Sequence, residues 1–75
     1  MAHDLIDGRW SPVEPHRMIR AAAERRFVMF DNGYVCRLVR WPQPRGKGRA
    51  RCATPHGTTF TARLARIVAV DWTTP

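Results

Sequence analysis

Two hydrophobic periods divide this chain near Arg26. Before it, Pro15, Met18, Ile19 and Ala22 fall at i, i+3, i+4 and i+7, the spacing of one face of an α-helix. After it, apolar residues come in short runs or alternate with polar ones, the period of half-buried strands. The pattern predicts one helix over residues 11–26 and strands beyond it. Ser11-Pro12-Val13-Glu14 has the S-x-x-E form of a capping box, with Pro at the first helical position. Pro15 lacks an N–H and offers a second start, as the first helical residue itself. Arg17, Arg20 and Glu24 take the opposite side. Arg20 and Glu24 stand at i, i+4, a pair worth about 0.2–0.5 kcal/mol.

The remainder reads as five strands and their turns. Phe27 to Phe30 is a short apolar run, and Asp31-Asn32-Gly33 follows it. Asn-Gly is a strong hairpin signal, because both residues tolerate φ > 0. Tyr34 to Trp41 is rich in β-formers, and Pro42 to Gly48 is a loop dense in Pro and Gly. Arg49 to Thr54 alternates, Pro55-His56-Gly57 is a second tight turn, and Thr58 to Leu64 puts Phe60, Ala62 and Leu64 on one face. Arg66 to Val70 is the last strand, with 71–75 as a tail and 1–10 as an N-terminal arm. A hairpin centred near Pro44 pairs Tyr34 with Thr54, Cys36 with Cys52 and Leu38 with Ala50 on an apolar face. It pairs Arg37 with Arg51, Val39 with Arg49 and Trp41 with Lys47 on a polar one. A strand pair needs one face of each kind.

One helix followed by five short antiparallel strands suggests a small, strongly bent β-barrel over residues 27–70, all within one domain, 1–75. In this order the chain resembles the Sm-like and SH3-like barrels. The likeness rests on the N-terminal helix, on Phe27-Val28-Met29-Phe30-Asp31-Asn32-Gly33 as a first strand with its polar-Gly turn, on the long second strand, and on Ala65 to Val70 as a closing strand. The bacterial Hfq proteins of the Sm-like group carry a Tyr-Lys-His signature. The corresponding stretch here reads Thr61-Ala62-Arg63-Leu64-Ala65-Arg66, so the resemblance implies the fold and not uridine recognition. Fold alone does not fix function.

Charge changes the picture most. From Asn32 to Val70 there are eight basic residues and no acidic one, whereas before Asn32 five Arg meet five acids. The net charge of +7 therefore sits in the second half. Twelve of the thirteen basic residues are Arg. A GC-rich coding sequence explains Arg over Lys, but it does not explain the missing Asp and Glu. A one-signed field attracts polyanions. Arg37, Arg40, Arg45, Lys47, Arg49 and Arg51 supply phosphate-binding charge, with Trp41, read as partly exposed, as a stacking platform. These seven residues are the candidate nucleic-acid site, for RNA or DNA. The alternative partner is an acidic protein surface on a larger machine, such as RNA polymerase, the ribosome or a phage assembly.

Other chemistry finds little support in the residues. Ser11 is the only serine, no P-loop or paired carboxylates occur, and Asp31 and His56 both sit at turns. The chain reads as non-enzymatic, with no cofactor. Cys36 and Cys52 read as small buried hydrophobes in the reduced state. With His3, His16 and His56 they show no ligand spacing such as C-x₂-C, so no metal is expected. Trp10 and Trp72 are expected to plug the barrel ends, and the helix to cap it. No apolar run reaches the ~18 residues of a membrane span. Residues 1–8 have acids and no apolar stretch of the secretory kind. The expectation is a cytoplasmic protein with no membrane partner.

Overall fold

The fold is taken from a computed structural model, which describes residues 8–42 and 48–73. The strands are β1 (Trp10–Pro12), β2 (Phe27–Phe30), β3 (Val35–Arg40), β4 (Arg49–Ala53), β5 (Thr59–Arg63) and β6 (Ile67–Asp71). A 3₁₀ turn, Pro15–Arg17, runs directly into the helix α1 (Met18–Ala23), and a second 3₁₀ turn, Leu64–Arg66, joins β5 to β6. The strands form one antiparallel sheet in the order β1-β6-β2-β3-β4-β5. The chain is thus mainly β with one short helix. None of the helices is long and apolar enough to cross a membrane, among the described residues.

Three expectations are corrected, two of them at the N-terminus. Among the described residues the sheet has six strands rather than five, and its end strands β1 and β5 do not pair to close a barrel. The added strand comes from residues read as arm and helix cap. Trp10, Ser11 and Pro12 lie opposite Asp71, Val70 and Ala69. An edge strand accommodates Pro12, since no partner needs its missing N–H. The capping box does not form. Glu14 is extended, makes no side-chain cap, and hands over to Pro15 at the start of the 3₁₀ turn.

The helix also turns a different face inward. Met18, Ala21 and Ala22 are buried, whereas Ile19 is 41% exposed. These three residues follow the same i, i+3, i+4 rule, rotated by one position. The two alanines let α1 lie close against β3. The helix ends in a Schellman motif: Arg26 N donates to Ala21 O at 3.0 Å and Arg25 N to Ala22 O at 3.1 Å. Arg25 holds the left-handed position, at φ 55°.

Both turns form at the expected residues, although at Asn32-Gly33 only the glycine takes a positive φ. Phe30 N donates to Tyr34 O across Asn32-Gly33, with Gly33 at φ 89°, and Thr54 N donates to Thr58 O across the Pro55–Gly57 turn. The core beneath is built from α1, β2, β3, β4 and β6, with Leu38, Val28, Val70, Cys36 and Cys52 fully enclosed. Trp10 is buried. Trp72 packs against the core's edge, with the Arg17 guanidinium 4.2 Å from its ring centroid.

β6 runs one residue further than read, to Asp71, which is fully buried. Its carboxylate accepts from Arg9 Nε at 2.7 Å, from Thr73 N at 2.8 Å and from Thr73 Oγ1 at 2.6 Å. These partners make burial of the charge tolerable.

Candidate polyanion-binding face

The register of β3, β4 and β5 assembles the site. Cys52 lies opposite Leu38 rather than Cys36, and Cys36 lies opposite Val28. This is a slip of two residues from the expected pairing. An even slip keeps every side chain on its face. Cys36, Leu38, Ala50 and Cys52 therefore still point inward, and Arg37, Arg49 and Arg51 outward. The pairing then shifts by one between Leu38 and Arg40, so that Arg40 faces Arg51. Such a bulge turns the strand beyond it.

The bulge decides the fate of Trp41. The side chain is buried, at 9% exposure, and belongs to the core cluster. The expectation of a partly exposed stacking surface is corrected. Trp41 borders a shallow cleft with Ile19, Ala22, Val39 and Arg40, but its ring serves packing. Arg45 and Lys47 lie outside the described residues.

The outward face carries Arg37, Arg40, Arg49 and Arg51, all exposed, and adds Arg63. Arg63 lies directly opposite Arg49, and Thr61 opposite Arg51. Sequence reasoning left Arg63 out of the site, although the signal was present. If Phe60, Ala62 and Leu64 share one face of β5, then Thr59, Thr61 and Arg63 share the other. Two cross-strand pairs, Arg40 with Arg51 and Arg49 with Arg63, thus set like charges side by side.

The acids are spent elsewhere. Glu14 pairs with Arg17, Glu24 with Arg20 and Arg26, Asp31 with Arg66, and Asp71 with Arg9. Hydrogen bonds from Arg20 and Arg26 hold the Glu24 carboxyl below its ordinary value. None of these acids reaches the outward face. Arg37 Nη1 donates to Arg25 O at 2.9 Å, and its guanidinium sits 4.2 Å from the Phe27 ring centroid. Arg51 Nη1 donates to Thr59 Oγ1 at 3.2 Å. The side chains of Arg40, Arg49 and Arg63 make neither a hydrogen bond nor an ion pair among the described residues.

The cysteines lie beneath this face, free and buried. A hydrogen bond with the Cys52 sulfur, together with burial, pushes the Cys36 thiol up, so it stays protonated. Among the described residues no three His, Cys, Asp or Glu side chains gather as metal ligands. The chain matches no protein-family model, no curated protein and no solved structure.

Proposed function

We propose that this chain is a non-enzymatic nucleic-acid-binding module that grips RNA or DNA mainly through phosphates, on the outward face of β3, β4 and β5. One observation carries the reading. Arg37, Arg40, Arg49, Arg51 and Arg63 share a sheet face from which every described acid is diverted. Like charges directly opposite each other destabilise a sheet. A row of phosphates converts that repulsion into attraction, and guanidinium forks suit phosphate oxygens. The strand order β6-β2-β3-β4-β5 supports an Sm-like or SH3-like kinship for this part of the chain, with β1 as an addition.

Fluorescence anisotropy with labelled single- and double-stranded oligonucleotides tests the proposal. With about four to six phosphate contacts, affinity should fall on the order of 10²–10³-fold between 50 and 200 mM salt, through counterion release. Arg40→Ala with Arg51→Ala should weaken binding to all sequences alike. No binding of any nucleic acid at low salt would move the face to the second class of partner, an acidic protein surface.

A further inference from the structure

A cleft of about 420 Å³ opens beside β5, the outer strand of the sheet. Phe30, Phe60 and Ala62 line its apolar part, and Arg49, Arg63 and Arg66 its cationic part. The Phe60 ring stands 6.1 Å from Phe30 and 6.5 Å from Tyr34, centroid to centroid. Arg66 is held in place by Asp31, Nε to Oδ1 at 2.8 Å, with its guanidinium 5.8 Å from the Phe30 ring centroid. Arg49 and Arg63 face each other across the strand pair without an acid.

Aromatic faces take up planar rings, and guanidinium forks take up phosphate oxygens. A purely apolar ligand would leave Arg49 and Arg63 uncompensated, and a bare phosphate would leave the Phe60 ring unused. The volume lies in the range of small-ligand sites. We infer that this cleft binds a nucleoside phosphate, with the base against the half-buried Phe60 ring, which the core residue Phe30 backs, and the phosphate between Arg49 and Arg63. The nucleotide is either one unit of a single strand lying on the arginine face or a free mononucleotide. The first source rests on the function proposed above; the second does not.

The test compares the unsubstituted chain with Phe60→Leu, which keeps an apolar side chain and removes the ring. The probes are a single-stranded octanucleotide, a duplex of the same length, adenosine monophosphate and inorganic polyphosphate. Loss of the ring should weaken single-strand or mononucleotide binding about 5- to 100-fold and leave polyphosphate binding unchanged. Mononucleotide binding identifies a free ligand; strand binding alone identifies a unit of a polymer. Equal affinities for the two proteins, or an equal loss towards polyphosphate, overturn the cleft. In that case, duplex and polyphosphate binding that still depends on Arg40 and Arg51 leaves the arginine face standing. Should Phe60→Leu fail to fold, adenosine monophosphate or the octanucleotide titrated into the unsubstituted chain must shift the Phe30 and Phe60 ring proton resonances. Shifts confined to other residues overturn the site.

Discussion

Arg25 shows how one residue carries a backbone cost for the contacts it gains. A non-glycine residue in the left-handed region is disfavoured by about 1–2 kcal/mol. Arg25 occupies it at the helix C-terminus, where glycine is usual. Its Nη1 donates to Ala22 O at 2.9 Å and to Val39 O at 3.0 Å, which ties the helix end to β3. Arg25→Ala keeps the strain and loses both bonds, and should cost about 1–2 kcal/mol in urea denaturation. Arg25→Gly loses the same bonds but relieves the strain, so it should be more stable than the alanine variant by about 1 kcal/mol. The buried thiols make a second residue-scale case. Cys36→Ala or Cys52→Ala removes a small enclosed group and should cost roughly 1–2 kcal/mol, less than a Leu truncation. Neither change should alter nucleic-acid affinity. Thiol labelling of the native protein should be slow for both cysteines, limited by opening of the fold.

At the scale of the element, α1 is too short to be stable by itself. Its six residues, Met18–Ala23, persist because Met18, Ala21 and Ala22 fill the core beside β3. Met18→Asp puts an unpaired charge where the side chain is fully enclosed, and should unfold the domain. Ile19→Asp, one position away, places the charge on the exposed side. Its cost should stay within about 0.5 kcal/mol, as for ordinary surface changes. Circular dichroism melts of the two proteins decide the orientation of the helix. Reversed results would restore the stripe through Ile19.

For the whole molecule, the arginine face opposes the fold that displays it. Arg49 and Arg63 repel each other across β4 and β5. Arg63→Glu replaces that repulsion with an opposite-charge pair, and should raise stability by about 0.2–1 kcal/mol. The same change should weaken nucleic-acid binding and flatten its salt dependence. A more stable protein that binds as tightly as before would separate Arg63 from the site. This opposition is the kind seen where function is maintained against stability.

How much of this was legible beforehand follows from the range of each interaction. The chain by itself determined the turns at Asn32-Gly33 and Pro55–Gly57, because those signals are local. It also determined which residues of β4, and of β3 up to Leu38, face inward, because strand parity survives a slip of two residues and fails only at the bulge beyond. The concentration of positive charge is likewise a property of composition. Three features depended on contacts distant in sequence. Ser11 and Pro12 joined β6 as a strand because residues 69–71 offered an edge, which a local capping motif does not reveal. Trp41 went inward because a bulge followed Leu38, and bulges have no firm signature in one strand alone. Arg63 entered the site because β5 pairs with β4 in a register that sets it against Arg49. Local propensity and period fix what each segment is; partners far along the chain fix where its side chains end up, since only they supply the surface that each face must bury.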